Sequence, residues 1–288
     1  MNDVGIALSG GGVAGCAHLG ILYGLEKEKV PVRYIAGTSA GAVVAALYAY
    51  GYRPKHMTKL LPLINKELVD YDYPSFVRAF LRRGMQVQGL AKGERLRYLI
   101  AETTRNARMA DLPFPVALIA TDLKTARPVI FTSRPFLRPL PGADVITDIS
   151  VADAVVASCA IPVLFQPIRH RGRILVDGGV IDNCPISAVK ALGAEKTIAV
   201  RTREAAPVES SFDSLLAIVK RVMSITLNNQ LKQQLKEADI VLEPEVAPDT
   251  LLDFTQTIAC VKCGYRHVRE RMGEIRRVLG QAEEKVSL

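Results

Sequence analysis

The chain has 288 residues, of which 49% are hydrophobic and 23% charged, a composition typical of a globular protein with a buried core. Its longest uncharged apolar run, Ala40–Tyr50, is too short to span a bilayer, and residues 1–3 carry no basic n-region, so we expect a cytoplasmic protein. The net charge is +8, but no zinc-finger spacing or RNP motif accompanies it, so we expect no nucleic-acid partner.

Segments of strand and helix character alternate in the first half of the chain. Apolar runs predict strands at Val4–Leu8 and at residues 33–36, followed by helices at residues 14–27 and Ala40–Tyr50. The charged sequence that follows lacks a clear strand. We therefore interpret residues 52–112, approximately, as a helical insertion or cap and not as a separate domain.

The alternation continues in the second half of the chain. Ser150 is a suitable N-cap for a short helix, and Gly193 can end another. The stretches "VLFQPI" and "RILV" are predicted to be a strand pair joined by a basic turn at residues 170–172. Further strands are predicted at residues 116–120, 129–132, 196–202 and Ile240–Leu242, and helices at about 211–236 and at the C-terminus.

Strands that alternate with helices predict a mainly parallel sheet covered on both faces. We expect one α/β domain over residues 1–288, with C-terminal helices at about 211–280. Five scattered cysteines predict no disulfide framework. Cys260 and Cys263 form a C-x-x-C, but they lie in an amphipathic helical pattern without partner ligands, so we expect ordinary helix cysteines and no metal.

A glycine-rich turn follows the first strand, and two functions fit it. Gly10, Gly12 and Gly15 have the G-x-G-x-x-G spacing of a dinucleotide-binding turn. Such a turn could equally direct backbone N–H groups at the oxyanion of an ester under attack. A dinucleotide site needs an acidic residue at the end of the second strand, and "VRYIAG" offers none. We therefore expect no nucleotide cofactor.

The second predicted strand runs into "GTSAG", a G-x-S-x-G motif at a strand-to-helix turn. Gly37 and Gly41 flank Ser39 because the turn is sharp and leaves no room for a Cβ. This arrangement indicates a nucleophile elbow with Ser39 as nucleophile. Consecutive βα turns of a parallel sheet share one edge, so Gly10, Gly11 and Gly12 are predicted to form an oxyanion hole beside it.

A serine nucleophile needs a base, and the histidines are poorly placed to supply it. None of His18, His56, His170 and His267 follows a strand in the position expected of a triad histidine, so each is expected to be structural. Asp177 in "ILVDGG" ends an apolar strand, which makes a base or a turn-forming residue equally reasonable. Asp122 also ends a strand and is the weaker candidate; it is expected to fix a loop.

The glycine loop, Ser39 in its elbow and Asp177-Gly178-Gly179, in that order, resemble the patatin-like phospholipases. "ATDL" at 120–123 and "ASCAIPVLFQP" at 157–167 extend the resemblance. It implies a three-layer α/β/α sandwich, a Ser39–Asp177 dyad and hydrolysis of acyl esters of glycerolipids without metal or other cofactor. Ala14 stands where the family often has Arg or Lys, so neutral lipids and other acyl esters remain as substrates beside phospholipids.

The leading hypothesis is therefore a lipid acyl hydrolase. An esterase or thioesterase for small soluble esters, and a non-catalytic nucleotide- or lipid-binding regulator, are the alternatives. The segment from residue 78 to residue 108 contains eight basic residues and two acidic ones. Arg169, Arg171 and Arg173 form a second basic group. Solvated surfaces explain such groups most simply, but they also suit peripheral contact with an anionic membrane. The sequence does not indicate an oligomeric state.

Overall fold

A central β-sheet organises the molecule. The computed structural model describes residues 3–70, 89, 91–202, 213–246 and 253–280. The strands are β1 (Val4–Leu8), β2 (Val32–Thr38), β3 (Val116–Asp122), β4 (Arg127–Thr132), β5 (Asp144–Ile146), β6 (Ile168–His170), β7 (Arg173–Asp177), β8 (Lys196–Val200) and β9 (Ile240–Leu242). The α-helices are α1 (Ala17–Lys27), α2 (Ala40–Tyr50), α3 (Pro54–Met57), α4 (Glu94–Thr103), α5 (Val151–Ser158), α6 (Ile186–Leu192), α7 (Leu215–Gln234) and α8 (Thr257–Val278).

The sheet has the order β5-β4-β3-β2-β1-β8-β9, with β7 also paired to β3 and β6 to β7. Neighbours from β3 through β2, β1 and β8 to β9 are parallel, as are β4 and β5. The hairpins β3–β4 and β6–β7 and the pairing of β3 with β7 are antiparallel. The prediction of a mainly parallel α/β sheet flanked by helices is confirmed.

The two faces of the sheet differ in side-chain size, which sets how closely helices approach. One face presents large residues such as Ile6, Leu8 and Leu118 and packs under α1, α2, α5 and α8. The opposite face is rich in alanine, and α6 packs on it together with the end of α7. A Cβ on Gly5 would lie 2.1 Å from Val189 Cγ1 of α6, which shows how near this helix comes. The helices therefore form layers on both faces.

Several predicted boundaries are wrong in detail. The stretch "VLFQPI" was expected to be a strand, but the strand begins only at its last residue, Ile168. Val163, the first residue of the stretch, has a φ of 74°, a left-handed conformation that no strand accommodates. The turn of the hairpin is formed by Arg171 and Gly172, both with positive φ, as the twist of a tight hairpin requires. The short strand β5 had no sequence signal.

The predicted insertion is only partly described. Its described residues form α3, α4 and short 3₁₀ segments at Thr58–Leu63, Lys66–Leu68 and Met109–Asp111. Residues 71–88 and 90 of the insertion lie outside the described residues, as do residues 211, 212 and 247–252 of the predicted C-terminal helical region. Across the ranges that the structure describes, every helix is too short or too polar to cross a membrane.

Four of the eight described residues of the predicted basic groups pair with acidic side chains. Arg97 pairs with Asp153, and Arg108 and Arg171 both pair with Asp148. Arg173 pairs with Asp144 at 2.8 Å. Arg78, Arg82 and Arg83, which contribute to the first group, fall outside the described residues.

Candidate active site

Ser39 lies at a strained turn between β2 and α2. Its backbone has φ 55° and ψ −121°, a conformation that costs a non-glycine residue about 1–3 kcal/mol. The flanking glycines are sterically required. A Cβ on Gly37 would lie 2.3 Å from the carbonyl oxygen of Gly41, and one on Gly41 would lie 2.2 Å from that of Leu8. The turn holds the hydroxyl at the N-terminus of α2, where the helix dipole favours negative charge.

The glycine loop and the serine turn lie at the same edge of the sheet. Strands β1 and β2 are adjacent and parallel, with Leu8 opposite Gly37, so the turns that follow them are neighbours. A Cβ on Gly10 would lie 3.2 Å from Ser39 Cβ, which places the loop against the serine. Gly12 has a φ of 60°, in the region that favours glycine.

The amides of the glycine loop are not equivalent. Gly10 N–H donates to the side-chain oxygen of Asn183 at 3.1 Å and to its backbone oxygen at 3.2 Å. Gly11 caps the 3₁₀ segment Gly12–Cys16, whose first N–H groups have no acceptor within the segment. In the part of the chain that the structure describes, the N–H groups of Gly11 and Gly12 make no hydrogen bond. They remain able to donate to a substrate.

Asp177 reaches Ser39 from a direction that the sequence did not indicate. Strand β7 runs antiparallel to β3, whereas β2 runs parallel to it. Strand β2 pairs with β3 as far as Thr38 opposite Ile119, and β7 then takes the same side of β3, with Asp177 opposite Ala120. The two strands therefore meet end to end, which brings the carboxyl group beside the serine.

The Asp177 carboxyl is buried, with 6% of the residue exposed. Desolvation raises its pKa to about 6, although the Ser39 hydroxyl and the Gly179 N–H lower it in part. Oδ1 accepts the Gly179 N–H at 2.7 Å. Ser39 is equally buried, at 6% exposure. A carboxylate with a raised pKa beside a hydroxyl is a stronger base than an exposed aspartate.

Three supporting residues were missed by the sequence analysis. Ser158 Oγ accepts the Ser39 N–H at 3.0 Å, and the carbonyl oxygen of Ala160 accepts the Asp177 N–H at 2.9 Å. Asn183 is the third, because it accepts the Gly10 N–H. Ser158 and Ala160 lie in "ASCAIPVLFQP", which extends the resemblance, and Asn183 lies four residues beyond Gly179, but no local pattern assigns these contacts.

The histidines do not contact the Ser39–Asp177 pair. His18 is fully buried and donates from Nε2 to the carbonyl oxygen of Ser9 at 2.8 Å; desolvation lowers its pKa to about 4. His56 is exposed on α3, and His170 lies in β6. His267 Nε2 accepts the Glu243 N–H at 3.1 Å.

Asp122 and Asp182 are two further carboxyl groups with shifted pKa values. Asp122 accepts N–H groups from Lys124 and Ile174 and the Thr125 hydroxyl, so it joins the β3–β4 turn to β7. Burial raises its pKa, but these hydrogen bonds lower it more. Desolvation raises the pKa of Asp182 to about 7. Neither has a described contact with Ser39.

An apolar cavity of about 170 Å³ opens beside Ser39. Its walls come from the glycine loop, α1, α2, the described part of the insertion and the stretch after α5. Ser39 and Thr103 are the polar side chains, apart from two cysteines, among the described residues that line it. The predicted insertion contributes much of the wall through Leu60, Ile64, Leu68, Val69, Leu96, Leu99, Ile100 and Thr103. The cavity therefore suits a hydrocarbon chain whose reacting end lies at Ser39.

Most of the chain, including the residues of the candidate site, matches a known protein family. The patatin-like phospholipase model matches residues 6–190. An uncharacterized NTE family protein of Mycobacterium bovis is 28% identical over 216 residues, 74% of this chain and 53% of that protein. Lysophospholipase NTE1 of Mycosarcoma maydis is 27% identical over 206 residues, 69% of this chain and 10% of that protein.

The chain thus spans about half the length of its mycobacterial relative and a small part of the fungal one. Among solved structures, human GIVD cytosolic phospholipase A2 superimposes with a TM-score of 0.52 at 13% identity. The match covers 97% of this chain and 60% of that one. At this identity the likeness supports the fold alone.

Proposed function

Since this chain belongs to the patatin-like phospholipase family, whose members are carboxylic ester hydrolases, we propose that it cleaves acyl esters of lipids with Ser39 as nucleophile and Asp177 as base. The observation that carries the proposal is the burial of the Asp177 carboxyl beside the Ser39 hydroxyl at the end of an apolar cavity. The reaction as proposed uses no metal and no other cofactor.

In the first step, Asp177 accepts the hydroxyl proton while Ser39 Oγ bonds to the acyl carbonyl carbon. The carbonyl oxygen becomes an oxyanion, which the free N–H groups of Gly11 and Gly12 stabilise. Removing one such donor typically costs about 3–4 kcal/mol of transition-state stabilisation. The Gly10 N–H is not a free donor, because it donates to Asn183. Gly10 instead allows the backbone of the loop to lie close to Ser39.

The tetrahedral intermediate then collapses to an acyl-enzyme. The alcohol oxygen of the lipid leaves with the proton held by Asp177, which becomes a carboxylate again. A water molecule gives a proton to Asp177 and adds to the acyl carbon, and the C–O bond to Ser39 breaks. The fatty acid is released, and Ser39 recovers its proton from Asp177.

The apolar cavity favours a lipid over a small polar ester as substrate. Its lining would desolvate an acyl chain and exclude water from the pair, which keeps the Asp177 carboxylate basic. Ala14 is buried beside the glycine loop and offers no charge to a head group. We therefore propose a lipid acyl ester as the substrate, with phospholipids and neutral lipids as alternatives.

The test is hydrolysis of a medium-chain nitrophenyl ester and of mixed phospholipid vesicles. Three proteins are compared with the wild type: Ser39→Ala, Asp177→Asn, and a triple variant, His56→Gln/His170→Gln/His267→Gln. We expect a loss of at least about 10³-fold for the first and about 10²–10⁴-fold for the second. The triple variant should keep wild-type activity.

Each protein is first checked for folding by circular dichroism. Full activity of Ser39→Ala on both substrates would refute the nucleophile. Retained activity of Asp177→Asn together with loss in the triple variant would refute the dyad and indicate a histidine base. Activity on the soluble ester alone would favour the small-ester alternative.

A further inference from the structure

The outward face of α7 changes from apolar to polar along the helix. In the first half, taken as residues 215–225, the exposed ones among the described side chains are those of Leu215, Ile218, Val219, Val222 and Ile225, with exposed fractions from 38% at Val219 to 78% at Leu215. Steps of three and four residues place these side chains on one face of the helix. The exposed positions of the second half are Thr226, Asn229, Lys232 and Gln233. An apolar stripe this exposed usually marks a binding surface.

The second half of α7 holds the helix to the molecule. Leu231 is buried at 2% exposure, and the Gln234 side-chain amide donates to the carbonyl oxygen of Ile181 at 3.1 Å. Gln230 donates to the same oxygen. Ile181 lies four residues after Asp177. The helix is therefore anchored to the segment that carries the proposed base, while its apolar half is exposed.

The charges of α7 indicate which surface it fits. Residues 215–234 contain Lys220, Arg221 and Lys232 and no acidic residue. Apolar side chains along one face, accompanied only by basic charges, are typical of helices that lie in the surface of anionic membranes. Pairing with a second copy across a two-fold axis would bring identical basic helices together, which is unfavourable.

We propose that the first half of α7 docks this protein on an anionic membrane by inserting its apolar face into the head-group region. The inference rests on the proposed function, because an enzyme that cleaves lipid esters must reach acyl chains held in a bilayer. It assigns membrane contact to a different surface from the two basic groups of the sequence. Four arginines of those groups, at residues 97, 108, 171 and 173, are paired with acids.

The test is flotation with phosphatidylcholine vesicles prepared with and without phosphatidylglycerol. The Ser39→Ala background is used so that the vesicles stay intact. Val222→Asn and Ile218→Asn/Val222→Asn remove apolar side chains without changing charge. Thr226→Asn is the matched control, because it places the same amide on the same exposed face one turn further along.

We expect the Ser39→Ala protein to bind vesicles that contain phosphatidylglycerol more tightly than those without it. Binding should fall about tenfold or more for Val222→Asn and further for the double variant, since each lost contact removes a buried aliphatic side chain. Thr226→Asn should bind like its parent. On the active background, the double variant should lose vesicle hydrolysis relative to soluble-ester hydrolysis.

Unchanged vesicle binding of the double variant would overturn the inference. So would a dimer in light scattering that the double substitution dissociates without affecting vesicle binding, because the face would then join two copies of this chain. Flotation does not depend on catalysis. A wild-type protein that hydrolyses neither substrate would therefore refute the proposed function and leave the binding result to be judged separately.

Discussion

Replacing Asp177 by asparagine should make the protein more stable while it removes the proposed base. The carboxyl is buried, and desolvation raises its pKa from the ordinary 3.8 to about 6. Because one pKa unit corresponds to about 1.4 kcal/mol, ionised Asp177 destabilises the folded state by about 3 kcal/mol at neutral pH. Asparagine carries no charge, so Asp177→Asn should recover up to about that amount.

The stabilisation by Asp177→Asn should depend on pH. The unfolded chain releases the Asp177 proton near pH 3.8, whereas the folded protein retains it to about pH 6. Between these values the folded state binds more protons, so this contribution to stability falls as the pH rises. The advantage of Asp177→Asn should therefore be complete above pH 7 and absent below about pH 4. Wild-type kcat/KM should fall about tenfold per pH unit below pH 6.

The assay is urea unfolding followed by circular dichroism at pH 7.5 and at several lower pH values. Asp122→Asn is the control, because hydrogen bonds lower the pKa of that buried carboxyl and its loss should destabilise the protein at pH 7.5. The reasoning is refuted if Asp177→Asn is less stable than wild type at pH 7.5. It is also refuted if wild-type kcat/KM stays constant down to pH 4.5, since an ordinary aspartate would behave in that way.

Two further predictions concern the serine turn and the cavity. Gly41→Ala should destabilise the protein and abolish ester hydrolysis, because the new Cβ would lie 2.2 Å from the carbonyl oxygen of Leu8. Its control is Gly273→Ala in α8, where a Cβ meets open space and should raise the melting temperature through about 0.5–1 kcal/mol of helix stabilisation. Equal melting temperatures of these two variants would contradict the prediction. Val43→Phe narrows the cavity one turn from Ser39, so kcat/KM should fall at least about tenfold more for a dodecanoyl than for a butanoyl ester. An unchanged ratio between the two esters would place the acyl chain elsewhere.

The sequence alone predicted the turn that carries Ser39 and the glycine loop beside it. Both predictions depend on short-range signals: apolar runs that end in glycine-rich turns and resume as helices. Once two consecutive strands are parallel neighbours, their following turns must share an edge, and β1 and β2 meet that condition. Helix α2, an uninterrupted apolar run after the serine turn, and helix α8, with its amphipathic pattern, were predicted from equally local signals.

Only the tertiary structure decided how Asp177 approaches Ser39. Strand β7 takes the place beside β3 that β2 leaves beyond Thr38, and this pairing depends on the register between segments far apart in the chain. The engagement of Gly10 N–H by Asn183 likewise joins residues 173 positions apart. Local patterns do not contain such contacts, because register and direction are set by packing over the whole sheet. The chemical groups were therefore visible in the sequence, but their arrangement depended on the fold.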